Sequence, residues 1–230
     1  MIATLALAAL AEPPRAEITA GWSGNVDQSY GSLVLQPALL RSVDASVVLR
    51  ATVSTMYYTF DDSAGTSRVE SPGTSIGPGF VYTPKNLALG MSIGIGARRS
   101  TVKLGDDRDR RVELDATLSG DLYWRPGQRA QLYGTFSFNA VGPYLWARSG
   151  ATVPVAPFSG RSAPVSLWLG AEATSVGTFD DRVLEVGPVA ELPVRELGAV
   201  FSLRGGVALD ERDGFDPSGL SFGAGVYWSY

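Results

Sequence analysis

The sequence predicts an all-β protein: a single closed antiparallel transmembrane β-barrel of about 12 strands, arranged as an up-and-down meander. Three observations predict this fold. Apolar side chains alternate with small or polar ones along successive segments, so each segment has one oily and one polar face when it is extended. The composition, with 27 glycines and only 18% charged residues, favours strands and tight turns. The connections alternate between short turns and longer acidic loops, as a barrel with both termini on the periplasmic side requires.

Taken in order along the chain, the alternation marks twelve candidate strands. It is cleanest in residues 87–98, 111–124 and 131–139, where Leu, Ile, Val, Phe or Trp on one face oppose Gly, Ser, Thr or charged residues on the other. The strands are predicted near 16–24, 30–40, 45–60, 73–83, 87–100, 110–124, 129–140, 143–155, 164–176, 182–192, 198–210 and 218–230. A soluble β-sandwich or lipocalin-like barrel is the alternative, but it would need polar residues on the outer face, where this chain is apolar.

The connections between these strands fall into two kinds. Short turns are predicted around 42–44, 84–86, 125–128 and 193–197, and longer or acidic loops at 61–72, 105–109, 179–181 and 210–217. The connection at 157–164 is long for a periplasmic turn. Solvated loops facing a charged lipopolysaccharide surface explain the acidic runs, with weak divalent-ion bridging as the alternative.

The N-terminal segment predicts an export signal. Residues 2–11 form a short apolar run that ends in an Ala-Leu-Ala suited to cleavage near Ala11, although no basic residue precedes the run. The run is too short to cross a bilayer as a helix, and an ordinary apolar N-terminal segment is the alternative. We therefore expect a signal peptide over 1–11 and an outer-membrane barrel over 12–230.

The last strand and the outward aromatic residues predict how the barrel sits in the membrane. Phe222, Val226, Trp228 and Tyr230 share one face of the terminal strand, a pattern similar to the C-terminal signal by which bacterial outer-membrane barrels are recognised for insertion. The barrel-assembly machinery and the lipid of the outer membrane are the partners this pattern predicts. Aromatic residues with outward parity near strand ends are expected at the lipid headgroups: Trp22, Tyr57, Tyr82, Trp124, Trp228 and Tyr230.

Charged residues of both signs have inward parity, so the lumen is expected to be mixed in charge. The candidate lumen-lining residues are Arg50, Arg98, Glu113, Asp115, Asp121, Arg148, Glu172, Glu185 and Arg204, and Arg111 and Glu191 share their parity. Such residues either pair across the lumen and plug it or line a narrow wet channel. Six inward aromatic residues either fill space or border a sugar path: Tyr58, Tyr123, Tyr133, Tyr144, Trp146 and Trp168.

Composition excludes several function classes. The chain has no histidine and no cysteine, which removes Ser-His-Asp and Cys-His catalysis, disulfides and the usual zinc ligands. Glu113 and Asp115 are i, i+2 neighbours on one strand and are poorly placed to flank a glycosidic bond. A net charge of −4 offers no basic surface for nucleic acid. We expect no enzyme activity, no cofactor and no metal site.

The overall course of the chain resembles the BcsS family of cellulose biosynthesis proteins. The resemblance is carried by residues 18–35, 166–192 and 201–214 and by the terminal strand, and it consists of glycine and aromatic patterns. It implies a small outer-membrane barrel that is accessory to exopolysaccharide (cellulose) biosynthesis or secretion, with polysaccharide or secretion components as partners. The alternative from another class is a narrow, porin-like channel for small solutes or oligosaccharides.

Overall fold

The computed structural model of the protein describes residues 15–25, 28–62, 65–104, 107–126, 129–140, 144–159, 164–177, 182–210 and 216–229. The predicted export signal over 1–11 and the terminal Tyr230 lie outside these residues.

Nearly all of the described chain is strand. In chain order the strands are β1 (Ala16–Gly24), β2 (Gln28–Arg41), β3 (Ala45–Asp62), β4 (Gly65–Glu70), β5 (Gly73–Tyr82), β6 (Leu87–Leu104), β7 (Asp107–Trp124), β8 (Gln131–Asn139), β9 (Tyr144–Ser159), β10 (Pro164–Gly177), β11 (Arg182–Val194), β12 (Ala199–Asp210) and β13 (Asp216–Ser229). A single 3₁₀ turn, Arg195–Leu197, joins β11 to β12. Within the described ranges, no helix has the length and apolar character needed to cross a bilayer.

The strands form one closed antiparallel barrel. Apart from β4 and β5, each strand pairs with its neighbours in the sequence, and β1 pairs with β13, with Glu17 opposite Ser229, so that the ring closes. Strands β4 and β5 are successive pieces of one wall position, because both lie between β3 and β6. The wall therefore has twelve positions, and the predicted twelve-stranded meander is confirmed. Closure pairs the backbone groups that an open sheet edge would leave unsatisfied in hydrocarbon.

The predicted connections differ from the structure in three places. The predicted loop at 61–72 contains β4, the predicted loop at 105–109 is partly strand because Leu104 pairs with Asp107, and the long connection at 157–164 is partly a continuation of β9 and β10, with Ser159 opposite Pro164. These stretches lie at the ends of the barrel, beyond the lipid-facing belt; in β4 the exposed outer residues Thr66, Arg68 and Glu70 are polar, and Ser67 and Val69 are buried on the inner side. Without a lipid-facing side the apolar alternation disappears, and the sequence pattern then resembles a loop.

The rim opposite the termini is uneven. Strands β3, β4, β6 and β7 continue beyond their neighbours: residues 107–116 of β7 pair with β6 alone, and β8 ends at Asn139 opposite Thr117. We call this extension the tall wall. On its outer side Lys103 of β6 forms an ion pair with Glu70 of β4, and the hydrogen bond and charge of that lysine lower the pKa of the Glu70 carboxyl. An exposed pair of this kind contributes little to stability.

Side-chain parity divides the barrel into an oily outside and a polar inside. Large apolar side chains such as Ile95 (74% exposed) and Leu203 (66% exposed) point outward from the middle of their strands. Trp22, Tyr82, Trp124 and Trp228 are also exposed on the outer face. A closed barrel with an apolar outer belt is the structure of a bacterial outer-membrane protein, because only lipid is a favourable solvent for such a belt.

Glycine at position 187 permits a close approach between β11 and β12. A Cβ added at Gly187 would lie 1.9 Å from the Gly205 carbonyl oxygen and 2.4 Å from the Gly206 Cα, which are backbone atoms that cannot rotate away. We expect Gly187→Ala to destabilise the barrel by about 1–3 kcal/mol, measured by urea unfolding in lipid vesicles. Gly134→Ala is the matched control, since its nearest contact is the Arg148 carbonyl oxygen at 3.8 Å. Equal stability of the two variants would contradict the close-approach argument.

Candidate functional site

The middle of the lumen contains an ion pair between strands that are not neighbours on the wall. Arg50 points inward from β3 and Asp121 from β7, and Arg50 Nη1 lies 2.6 Å from Asp121 Oδ2. Thr135 of β8 donates a hydrogen bond of 2.6 Å to the second oxygen, Asp121 Oδ1. Since two wall positions separate β3 from β7, this contact bridges about a quarter of the wall and does not simply join neighbouring strands.

A second cluster surrounds Glu172 of β10, which is buried. Its carboxylate forms ion pairs with two arginines, at 3.3 Å from Arg148 Nε and at 3.2 Å from Arg204 Nη1. Tyr133 donates a hydrogen bond of 2.7 Å to Glu172 Oε2. One carboxylate therefore holds two guanidinium groups, from β9 and β12, in the interior.

Arg204 extends this cluster towards β1. Its Nη2 donates a 3.1 Å hydrogen bond to the Trp22 carbonyl oxygen, across the intervening strand β13. The space comes from Gly223, because a Cβ there would lie 2.2 Å from Arg204 Nε. We call the Arg50 and Glu172 clusters together the crossbrace: Arg50, Asp121, Thr135, Tyr133, Arg148, Glu172 and Arg204.

On the side of the crossbrace nearer the chain termini, further polar side chains bond to one another inside the lumen. Gln131 of β8 donates to Glu191 of β11 and accepts a 2.7 Å hydrogen bond from the Tyr123 hydroxyl. Gln36 donates a 3.1 Å hydrogen bond to Glu17. Sequence reasoning did not select Glu17, Gln36 or Gln131 as site residues. Their signal was inward parity, since Glu17 alternates with the outward Ile18 and Gln131 with the outward Leu132.

Two cavities border the crossbrace. The inner cavity, of about 90 Å³, is lined by Arg50, Arg148, Glu191 and Arg204 among others. The outer cavity, of about 40 Å³, lies nearer the tall wall and is lined by Arg98, Asp115, Asn139 and Tyr144 among others. Tyr30 and Trp146 line both cavities and stack on each other, with ring centroids 5.6 Å apart and planes 23° apart. The stacked pair is thus the partition between the two cavities.

The structure brings together most of the residues with predicted inward parity. Arg50 meets Asp121, and Glu172 meets Arg148 and Arg204, as described above. Glu185 is buried beside Glu172 and Arg204 in a small cleft. Glu113 does not join them, because it is exposed on the tall wall, where Arg111 pairs with Asp109 at 2.9 Å.

The candidate insertion residues lie at the seam of the barrel. Phe222 (59% exposed) and Trp228 point outward from β13, and Val226 is half-buried between them. The strand pairs with β1 through Phe222 opposite Gly24 and Trp228 opposite Ile18. The fourth residue of the proposed signal, Tyr230, lies outside the described residues.

The ion pairs of the lumen limit the chemistry that their carboxylates can perform. The carboxylates of Asp121 and Glu172 are engaged by arginines, so their charges are neutralised. Within the described part of the chain, no three acidic side chains converge in a metal-binding group. The interior is therefore built to hold its own charges and to offer hydroxyls and aromatic rings to whatever enters the cavities.

Comparison with solved structures agrees with this architecture. The chain is similar to the beta domain of the Bordetella autotransporter BrkA (TM-score 0.55, 13% identity, 96% of this chain and 100% of that chain covered). It is also similar to the translocator domain of autotransporter NalP from Neisseria meningitidis (TM-score 0.52, 11% identity, 100% of this chain and 93% of that chain covered). Identities this low show the fold alone.

Sequence comparison supplies the family. No curated protein matches the chain. The family model of the cellulose biosynthesis protein BcsS matches residues 22–228, from the outward Trp22 of β1 to the outward Trp228 of β13. The match covers nearly the whole barrel, and the resemblance drawn from the sequence is confirmed. The chain belongs to the BcsS family of cellulose biosynthesis proteins.

Proposed function

We propose that this protein is a non-enzymatic accessory barrel that supports the biosynthesis or secretion of cellulose at the outer membrane, and that it does so without acting as a wide pore. The crossbrace is the observation that carries the proposal. Its ion pairs join β3 to β7 and β10 to β12 inside the lumen, the stacked rings of Tyr30 and Trp146 join β2 to β9 on opposite sides of the wall, and the cavities beside them are small. A cellulose chain could not thread a lumen held shut in this way.

The absence of catalysis is part of the proposal and is supported by the residues themselves. General acid–base chemistry on a sugar uses two carboxyl groups on either side of the scissile bond. Here Asp121 and Glu172 are each held by arginine, and the chain has no histidine or cysteine to act instead. A barrel that organises or anchors the secretion apparatus fits these residues better than one that cuts or joins glucan.

Several partners follow from this role. Outer-membrane lipid contacts the apolar belt. We propose in addition that lipopolysaccharide faces the acidic loops, that the barrel-assembly machinery recognises β13, and that polysaccharide or other secretion components bind at the tall-wall end. Gene neighbourhood offers a simple check, because adjacent glycosyltransferase and export genes are expected.

A narrow channel for small solutes or oligosaccharides is the second candidate. It is favoured by the two cavities, which meet at the Tyr30–Trp146 partition. If the two rings separated, the cavities would become continuous as far as the crossbrace. The channel candidate therefore requires both the partition and the crossbrace to move.

Deleting the gene and measuring secreted glucan tests the accessory role. We expect reduced cellulose output, restored by the wild-type gene. Single-channel recording of the purified barrel in planar bilayers tests the channel role, and we expect no steady conductance, because the crossbrace blocks the ion path. Steady conductance that sugars block would favour the channel, and unchanged glucan output after deletion would contradict the link to cellulose.

A further inference from the structure

The outer cavity combines side chains in a way that the crossbrace does not require. It lies beside the tall wall, whose inner face contributes Arg98 from β6 and Asp115 from β7. Asn139 at the end of β8 and Tyr144 at the start of β9 border it on the lower side of the rim, and the stacked Tyr30 and Trp146 form its floor. Because β8 and β9 end well below the tall wall, the cavity lies near the cell-surface mouth.

The residues that line the outer cavity offer the two kinds of contact that bind a sugar: packing on aromatic rings and hydrogen bonds. Pyranose rings have apolar faces that pack on aromatic rings, and their hydroxyls require donors and acceptors around the edge. The aromatic rings come from Tyr30, Trp146 and Tyr144. The edge groups are the amide of Asn139, the carboxylate of Asp115, and short hydroxyl side chains that line the same cavity: Ser54, Thr74, Ser75, Thr117 and Ser137.

Two buried donors point to a ligand independently of this lining. The Tyr144 hydroxyl and the Trp146 Nε1–H are buried and find no hydrogen-bond partner among the described residues. Tyr144 is only 9% exposed, and Arg98 lies over its ring at 5.4 Å. Buried donors are nearly always satisfied in native proteins, so donors left over beside a polar cavity indicate that something else completes them.

The charge of the lining selects the class of sugar. Arg98 and Asp115 contribute one positive and one negative charge to the cavity. A uronic acid or a sulfated sugar would gain a partner in Arg98 but would also meet Asp115. A neutral hexose instead uses Arg98 as a donor and Asp115 as an acceptor, so the pair favours neutral sugars.

We propose that the outer cavity is a binding site for a neutral β-linked glucan, which places one hexose unit over the cavity, next to Tyr30, Trp146 and Tyr144, at the cell-surface mouth. The proposal rests on the proposed role in cellulose production and names the ligand of that role. The crossbrace closes the lumen below the site, so the glucan is held at the mouth and does not pass through.

Isothermal titration of the full barrel in detergent or nanodiscs with cellopentaose tests the site. We expect measurable binding that Asp115→Asn weakens several-fold and Trp146→Ala weakens about tenfold or more. Tyr144→Phe removes only the unpartnered hydroxyl and should weaken binding without affecting folding, which keeps the test decisive if the tryptophan variant does not fold. Trp124→Phe, on the outer face, is the matched control and should bind like the wild type.

Two comparison sugars define the class. Maltopentaose tests the linkage and a pentamer of galacturonic acid tests the charge, and both should bind more weakly than cellopentaose. The proposal is overturned if cellopentaose does not bind. It is also overturned if Trp146→Ala, or both Asp115→Asn and Tyr144→Phe, bind cellopentaose as the wild type does, or if either comparison sugar binds more tightly than cellopentaose. The glucan output of the deletion strain is measured separately, so the accessory role can hold when this site fails.

Discussion

Replacing Glu172 by glutamine should destabilise the barrel by about 3–5 kcal/mol. Glu172 is the single carboxylate that holds both Arg148 and Arg204 in the interior, at 3.3 and 3.2 Å. The glutamine side chain keeps the shape and can still accept from Tyr133, but it removes the one carboxylate that contacts both buried guanidinium groups. Removing one partner of a buried ion pair costs far more than the pair contributes, because the remaining charge cannot return to water.

The measurement is the urea dependence of unfolding in lipid vesicles, followed by tryptophan fluorescence. Glu113→Gln is the matched control, since Glu113 has the same parity but is exposed on the tall wall, and we expect a change of about 0.5 kcal/mol or less. Similar stability losses in the two variants would show that the crossbrace is not the source of the effect. Planar-bilayer recording of Glu172→Gln gives a second result, because a loosened Arg204 should allow ion leakage that the wild type lacks.

Replacing Leu203 by arginine should cost about 2–4 kcal/mol in lipid. Leu203 points outward from the middle of β12, between Ala190 of β11 and Ala224 of β13, and is 66% exposed. An arginine there must stay in the acyl chains or bend towards the headgroups, and either choice is unfavourable. The measurement is again unfolding in vesicles.

The control for the lipid belt is Val43→Arg. Val43 lies in the short turn between β2 and β3 and is 83% exposed, so an arginine there meets water or headgroups and should change stability by about 1 kcal/mol or less. If Leu203→Arg were as mild as Val43→Arg, the outer belt would not face hydrocarbon, and the assignment to the membrane would fail.

The fold was predictable wherever lipid imposes the pattern. In β6 and β12 hydrocarbon on one side and a polar lumen on the other force alternation, and the predicted strands at 87–100 and 198–210 correspond to observed strands. The tall wall was not predicted, because its outer residues are polar where the wall extends beyond the lipid. In β4 the buried Ser67 and Val69 alternate with the polar outer Thr66, Arg68 and Glu70, which reverses the pattern of a membrane strand, and the pairing with β3 and β6 shows that the segment is a strand.

The sequence predicted which residues of the candidate site point inward, but not which of them contact each other. Parity indicated that Arg50 and Asp121 point inward, but their contact depends on strand tilt and on two intervening wall positions, which no local pattern records. Glu17 and Gln131 were not selected because each is a lone polar residue near a strand end. The stacking of Tyr30 on Trp146 joins residues far apart in sequence and likewise depends on how the ring of strands closes.

The unequal strand lengths give the barrel a front and a back within the plane of the membrane. A barrel with a level rim would be the same from every direction in the membrane plane. In this barrel the wall is high along β3 to β7 and low along β8 and β9. The mouth is therefore open to approach over β8 and β9 and screened along β3 to β7. Each copy of the protein therefore has a definite orientation in the membrane plane. Neighbouring copies could align emerging fibres only if they shared that orientation.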